Sequence, residues 1–475
     1  MNKMQLPEYV KKILYLFNEN GFEAYVVGGA VRDFLLGSKP KDYDVTTNAT
    51  PEDVCALAAA NELKVVENLG HNFGVVLLVV DGKPVEIGTF RGEEYGKDAH
   101  RPEKVFFCQT LSEDLSRRDF TINAMAVDKK GNLFDPYLGR VDLENGVLRT
   151  VGDPYKRFSE DALRMFRACR FCAQLGFLPD NELIAALLSE VERAQGLSLE
   201  RVKSELEKIL LAKHVDIGIQ LLVKSGLAGQ QVTKRENGEN KAVAILPELK
   251  NLMTVKESRE ADNYTAWQHT LTALVVSRQE LLIRWSVLLH DMAKEYDSIK
   301  KENVFSPHIF VQKDSFAAEL AKKILVRFNY NEKVIEKIAW VLASHTKFIA
   351  FMRSDEVAIN QWLKEEARRK IFHNSQELYQ AFSILCEVCL ADISAGRSEE
   401  ENILTFRKLG QKIVALAASM PVHTNDLAIS GKEVMQSLPE NEVGAFLQKA
   451  LTKVQDNKLK NTKQSLTNFL LGYKK

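Results

Sequence analysis

The sequence carries no net charge: 64 lysines and arginines stand against 64 aspartates and glutamates. That excludes a chain that binds nucleic acid or an acidic surface through bulk charge, and leaves only local basic clusters for such a role. No apolar run approaches the length of a bilayer span. The opening Met1-Asn2-Lys3-Met4-Gln5 leads into an amphipathic stretch and not a signal-peptide core. A cytoplasmic protein with no membrane partner is expected. Internal repeats and low-complexity tracts are also missing. Cysteine is scarce, with 6 in 475 residues. Cys169-x-x-Cys172 and Cys386-x-x-Cys389 imitate a paired zinc motif, but both lie in helical text among large apolar residues, with no glycine or turn residue to shape a metal knuckle. Buried helix cysteines are the expectation.

What remains is ordinary globular text, 45% apolar and 27% charged, in a chain long enough for two to four domains. The first 150 residues read as α/β. Residues 6–20 form a helix with Val10, Ile13, Leu14 and Phe17 on one side. A strand from Ala24 to Val27 runs into Gly28-Gly29 and a helix from Ala30 to Leu36. Asp44-Val45 lies on a strand, and Thr50-Pro51-Glu52-Asp53 opens a helix. Val75–Val80 and Val85–Ile87 flank the hairpin turn Asp81-Gly82, and strand text returns at Ile122–Val127. After Pro154 strands nearly vanish. Helices are expected at 158–175, 181–193, 199–213, 215–225, 263–278, 280–292, 313–328, 331–344, 353–368, 374–392 and 398–417, and again beyond Asp426. Thr233–Lys241 reads as an exposed linker or loop. Seven lysines between Lys449 and Lys475 face one acid, Asp456. Such a tail either touches a phosphate backbone or is a solvated helix surface.

Chemistry concentrates in four stretches. In Gly28-Gly29-Ala30-Val31-Arg32-Asp33, two glycines between strand and helix let the backbone approach phosphates, beside a favourable helix dipole. Asp42 and Asp44 are two apart on extended chain, so their carboxylates face the same way and can hold Mg²⁺ between hard oxygens. Glu86, alternating with Val85 and Ile87, is either a third carboxylate near the metals or a solvent-facing strand residue. In Arg117-Arg118-Asp119-Phe120-Thr121-Ile122-Asn123, arginines suit triphosphate oxygens, and Asp119 and Asn123 suit a ribose hydroxyl or phosphate. From Arg157 to Phe171, Ser159 is a plausible cap for one helix on which Asp161, Arg164 and Arg167 form a ridge, with Arg170 beyond. An aspartate accepting from an exocyclic amino group and an arginine donating to the adjacent ring nitrogen suit cytosine and adenine alike. Uracil and guanine reverse that pattern. One such pair accepts C and A without a template, whereas an i,i+3 salt bridge would explain only Asp161 and Arg164.

As a set, GGAVRD (28–33), DYD (42–44), EIGTFR (86–91), RRDFTINAMA (117–126) and EDALRMFRACRF (160–171) resemble the class II CCA-adding tRNA nucleotidyltransferases and the related bacterial poly(A) polymerases. The resemblance covers residues 20–210. It implies a multidomain α+β chain: a small mixed α/β nucleotidyltransferase head of the polymerase-beta-like kind, followed by an all-helical neck, an HD-containing body and a tail. The implied boundaries are 1–150 for the head, 151–213 for the neck, 214–260 for a helical body segment and linker, 261–397 for the HD domain and 398–475 for a tRNA-binding tail. It further implies that Asp42 and Asp44 hold two Mg²⁺ ions and Arg118 the triphosphate, with Asp119 and Asn123 around the nucleotide. Asp161 and Arg164 read the base, with Arg167 and Arg170 close by. CTP and ATP are the implied nucleotides, and the tRNA acceptor stem and elbow the implied RNA surface. The intact stretch 91–113 and the tail text DLAISGKEVM (426–435) and KLKNTKQSL (458–466) favour full CCA addition over poly(A), CC-only or A-only products. A non-catalytic RNA-binding protein is the rival of another class, and retention of every chemical group argues against it.

A second series, His269, His290-Asp291 and Asp392, resembles the HD superfamily of metal-dependent phosphohydrolases, with His308 and His345 as further ligands of a two-metal version. The resemblance implies a divalent transition metal and phosphatase or 2′,3′-cyclic phosphodiesterase activity on RNA ends. Ser306-Pro307-His308-Ile309 departs from the family's pattern.

Overall fold

The computed structural model describes residues 3–66, 74–94, 104–255, 265–292, 294, 307–351, 355–369, 371–396 and 399–473. The chain forms two compact units, Met1–Pro247 and Glu248–Lys475.

The first unit opens with α1 (Glu8–Glu19), which buries Val10, Ile13, Leu14 and Phe17 at i, i+3, i+4 and i+7. Removing each such side chain from water contributes roughly 1.5–3 kcal/mol. A seven-stranded sheet follows, built from β1 (Ala24–Val27), β2 (Asp44–Thr47), β3 (Lys64–Val66), β4 (Val75–Val80), β5 (Lys83–Thr89), β8 (Ala126–Val127) and β9 (Leu133–Phe134) in the order β3-β4-β5-β2-β1-β8-β9. The intervening β6 (Arg91–Glu94) and β7 (Lys104–Phe107) pair separately. The sheet is mixed: β2 and β5 run parallel, with Asp44 opposite Glu86, while β1 is antiparallel to β2, with Val27 opposite Asp44. Asp81 and Gly82 both take positive φ between β4 and β5, the geometry of a primed hairpin turn. Around the sheet lie α2 (Gly29–Leu35), α3 (Pro51–Ala60), α4 (Leu111–Ser116) and α5 (Gly139–Asn145).

Three expectations need correction here. Ile122–Val127 is not one strand: Thr121–Asn123 makes a short 3-10 turn, because Phe120 N–H donates to Asp119 Oδ1 at 2.8 Å and Ala124 N–H to the Thr121 carbonyl at 3.0 Å. The expected helix 158–175 is two helices, α6 (Pro154–Glu160) and α7 (Leu163–Leu175). Asp161 between them is extended at φ −145°, and its Oδ1 accepts from Leu163 N–H at 3.0 Å. Asp153, not Ser159, caps α6. Finally, Thr233–Lys241 is no loop. Gln231–Glu236 and Glu239–Ala244 form an antiparallel hairpin whose Asn237-Gly238 turn has φ of 53° and 86°. The unit's remaining helices are α8 (Asn181–Glu190), α9 (Leu199–Leu210) and α10 (Val215–Lys224).

The second unit is helical throughout its described residues, from Ala266–Val276 to Lys463–Tyr473. Aromatic packing organises its core: Trp362 stacks on Phe351 at 4.8 Å and meets Phe382 edge-on at 5.0 Å. Leu427, Val434, Phe446, Leu451, Leu466 and Leu470 make a separate small core near the C-terminus. Among the described residues one helix, Ser375–Ala395, has the length and apolar composition of a membrane span, which the core helix of a globular unit can share. It buries Leu378, Phe382, Leu385 and Cys389 within this unit and carries Asp392. Cys169, Cys172, Cys386 and Cys389 are free, buried and helical. Burial pushes the Cys172 and Cys386 thiols up to about 12.

Candidate active site

At the end of β1, Gly28 adopts φ 70°, ψ −130°, and α2 starts at Gly29. A Cβ on Gly28 would come within 3.1 Å of Arg118 Nη1, so this glycine allows both the turn and the close approach of a guanidinium. Exposed Asp42 and Asp44 lie on the next extended segment, with exposed Glu86 alongside. Desolvation, then the charges of Glu86 and Asp42, raise the Asp44 carboxyl above its ordinary value, and Arg118 opposes them. Glu86 is exposed and stands opposite Asp44 in the parallel register of β2 and β5.

Arg118 reaches the Asn123 carbonyl at 3.4 Å and Asp114 Oδ2 at 3.3 Å, and its Nε is buried without a protein partner. Asp114 was not singled out from the sequence. It is fully buried at the last turn of α4, and its Oδ1 accepts from Arg117 Nε at 3.0 Å and Nη2 at 2.7 Å. Thr46 Oγ1 on β2 and the Arg91 backbone N–H also donate to it, at 3.3 and 3.4 Å. Burial alone would raise the Asp114 carboxyl, but Arg117 and Arg118 hold it below its ordinary value. The capping box Thr110-x-x-Glu113, followed by an acid three and four residues before two arginines, was the available signal.

A second chain of contacts runs from α2 to α7. Arg32 Nη1 donates to Asn123 Oδ1 at 2.8 Å, Asn123 Nδ2 to Asp119 Oδ1 at 3.2 Å, and Arg167 Nε to Asp119 Oδ2 at 2.7 Å. Arg32, Arg167 and Arg170 surround the Phe171 ring at 5.4, 5.6 and 4.0 Å. Arg170 is itself tied to buried Glu205 of α9 and to Gln174 at 3.0 Å. Burial would raise Asp119, but Arg167 holds it below its ordinary value.

The ridge expected of Asp161, Arg164 and Arg167 is broken by the α6–α7 junction. Asp161 does not pair with Arg164: its Oδ2 accepts from Arg201 of α9 at 2.9 Å. Arg164 is buried and donates to Glu160 Oε2 at 2.6 Å and to the carbonyls of Arg157 and Arg117, both at 3.1 Å. The simple i,i+3 salt bridge is thereby excluded. Arg201 and Glu160 are neighbours that no spacing or motif singles out.

In the second unit, His269, His290 and Asp392 bring ligand atoms within 4.8 Å of one another. His269 Nε2 lies 2.7 Å from Asp392 Oδ1. His290 Nδ1–H donates to the Val287 carbonyl at 2.7 Å, which leaves Nε2 as the basic nitrogen, buried without a hydrogen-bond partner. Asp291 is 3.4 Å from His290 and 3.9 Å from His269, and Lys294 binds its other side at 2.7 Å. His345 Nε2 joins at 3.2 Å from Asp392 Oδ2. Burial would raise Asp392, but His269, His290 and His345 around it hold it well below its ordinary value. The His308 side chain lies outside the described residues, as does the stretch 95–103 between β6 and β7.

A mixed sheet with a glycine turn and adjacent carboxylates, followed by helices, defines a nucleotidyltransferase-type head on a largely helical body. A family model described as the poly A polymerase head domain matches residues 24–149, and one described as a probable RNA and SrmB-binding site of polymerase A matches residues 176–231. A CCA-adding enzyme of Leuconostoc mesenteroides is 34% identical over 346 residues, which cover 71% of this chain and 80% of that one. One from Geobacillus sp. (strain WCH70) is 43% identical over 215 residues, 45% of this chain and 52% of the relative, so the match spans about half of that curated protein. The crystal structure of the Bacillus stearothermophilus CCA-adding enzyme in complex with CTP superimposes with a TM-score of 0.64 at 25% identity, covering 99% of this chain and 98% of that one. The chain belongs to the CCA-adding enzyme family.

Proposed function

We propose that this protein is a template-independent CCA-adding tRNA nucleotidyltransferase, transferring CMP, CMP and AMP from CTP and ATP to the tRNA 3′ end with release of pyrophosphate. The observation that carries the reading is the parallel register of Asp44 and Glu86 beside a glycine turn that Arg118 lies against. Two Mg²⁺ ions held by Asp42 and Asp44, with Glu86 beside them, would supply activation of the terminal hydroxyl and charge neutralisation on the leaving pyrophosphate. Gly28 and Gly29 let the triphosphate approach the backbone, and Arg118 Nε, buried and unpartnered, offers it a donor. Arg32, Asp119, Asn123 and Arg167, linked in one network, bound the nucleotide. Asp161 accepts from the amino group of C or A, Arg164 donates to N3 or N1, and Arg170 with Glu205 braces the helix behind them. CTP is bound by the B. stearothermophilus relative, and the second family model is named for RNA binding.

The finer division into head 1–150, neck 151–213, body segment 214–260, HD domain 261–397 and tRNA-binding tail 398–475 belongs to this reading, as does a cytoplasmic place of action. Purified protein incubated with tRNA lacking its 3′ end should add two residues with CTP alone and three with CTP and ATP. Long adenylate products would instead identify a poly(A) polymerase, which the name of the first family model keeps in view.

The second unit carries a companion proposal. His269, His290, Asp291 and Asp392, with His345 beside them, fit a divalent transition metal, since His290 Nε2 and His345 Nε2 are buried beside the carboxylates without a hydrogen bond. Such an ion would supply an activated water for a 3′-phosphate or 2′,3′-cyclic phosphate. Release of phosphate from a 3′-phosphate, and opening of a 2′,3′-cyclic phosphate to a phosphomonoester, should require added metal and be lost in His290→Ala and Asp291→Ala, while CTP and ATP addition continues. Metal-stimulated release surviving both substitutions would assign the activity elsewhere.

A further inference from the structure

Asp114 is buried, and Arg118, Arg117, the strand that carries Asp44 and the start of β6 all donate to it directly. It takes two donors from Arg117 and one from Arg118, one from Thr46 two residues beyond Asp44, and one from the backbone at the first residue of β6. Arg117 in turn presents its carbonyl to Arg164. A carboxylate ion has about four acceptor sites, and here they face donors from three separate elements. Gly28 closes the other side of Arg118, since even a methyl group there would meet the guanidinium.

We propose that Asp114 is a positioning residue for the triphosphate: its buried charge fixes the Arg118 guanidinium between Gly28 and the Asn123 carbonyl, leaving the Arg118 Nε donor for phosphate. The proposal rests on the reading of Arg118 as the triphosphate ligand. Without the Asp114 charge, Arg118 loses one anchor, and the remaining 3.4 Å contact to a neutral carbonyl does not hold its plane. Contact with phosphate is then made by a guanidinium that must first be ordered, which weakens binding of any nucleoside triphosphate without regard to base.

The test is a set of steady-state measurements on the full chain with tRNA ends awaiting C or A. Asp114→Asn keeps the shape and removes the charge. KM for CTP and for ATP should rise in parallel by about 10- to 150-fold, the range for losing a charge-assisted contact. Inhibition by added pyrophosphate should weaken to a similar extent, and the ratio of CTP to UTP use should stay at the wild-type value. A merely structural role would lower the melting temperature and the fraction of active enzyme and leave KM alone. Asp114→Glu retains the charge on a longer arm and guards against an unfolded Asn variant; its KM should also rise, by a smaller factor. Unchanged KM in either folded variant overturns the proposal. Arg118→Ala separates the two layers of argument. If it too leaves KM and pyrophosphate inhibition unaltered, the reading of Arg118 is wrong; if it raises them while both Asp114 variants do not, only the role of Asp114 is wrong.

Discussion

Asp44 in the first unit and Asp392 in the second are carboxylates crowded by other titratable groups, and their protons are held in opposite ways. Desolvation and the like charges of Glu86 and Asp42 push Asp44 up. Three imidazoles overcome burial and push Asp392 down. The first is an anionic group short of positive charge, which divalent cations relieve directly. The second already has imidazoles around it, and any metal must displace the protons they hold. Hard oxygen ligands on one side and mixed nitrogen and oxygen ligands on the other point to different ions as well.

The contrast breaks most visibly at Asp44. Asp44→Ala should lower single-turnover CMP addition by about a thousandfold or more, the several kcal/mol of transition-state stabilisation expected from losing a metal ligand. Asp42→Ala should behave alike, with tRNA binding and fold retained. Activity within about tenfold of wild type in either variant would remove these residues from the metal site, because that loss is smaller than any ligand role allows.

A smaller effect is expected at the base reader. Asp161→Ala removes one hydrogen-bonding partner, worth about 1–3 kcal/mol, or about 5- to 150-fold in discrimination. CTP and ATP use should fall together while rejection of UTP relaxes. Asp161 is bound to Arg201 and not to Arg164, so a drop in melting temperature with unchanged nucleotide preference would assign the pair Asp161–Arg201 a purely structural role. The comparison of kcat/KM for CTP, ATP, UTP and GTP decides between them.

Sequence patterns carried the head well where the signal was local. The Asp81-Gly82 turn, the glycine turn before α2 and the amphipathic α1 follow from spacing and backbone preference. They failed where side chains compete with the backbone. Asp161 looks like one more helical residue in EDALRMF, but its carboxylate takes Leu163 N–H and ends the helix, so the expected ridge dissolves. Asn237-Gly238 was a hairpin signal hidden in text polar enough to pass for a linker. Asp114 was legible only in part: its spacing to two arginines is visible, but nothing in LSEDLSRRDF says that its partners include a threonine on β2 and the first backbone amide of β6. In the helical unit the residue types of the His/Asp cluster were legible, but the burial of the His290 and His345 Nε2 atoms beside Asp392 emerges only from packing.

The smallest expected effect concerns pH at the His/Asp cluster. Burial would lower His269, but its hydrogen bond to Asp392 and the charges of Asp291 and Asp392 raise it above its ordinary 6.5. His345 is opposed by burial too, yet Cys389 and Asp392 push it up to about 10. A raised histidine contributes stability that is fully present below its unfolded pKa and lost as pH climbs through the folded one. The cation-free protein should therefore lose stability from near neutrality upward. Metal needs the neutral imidazole, so its affinity runs the other way. Isothermal titration with Mn²⁺ between about pH 6 and about pH 8 should show binding tightening by up to about tenfold per pH unit for each proton displaced. The cation should also flatten the alkaline decline in melting temperature. His269→Ala removes one displaced proton and should make the slope shallower as well as the binding weaker. A slope that is flat in the wild-type protein, with Mn²⁺ bound, would place the ion on carboxylates alone and erase the electrostatic difference between the two aspartates.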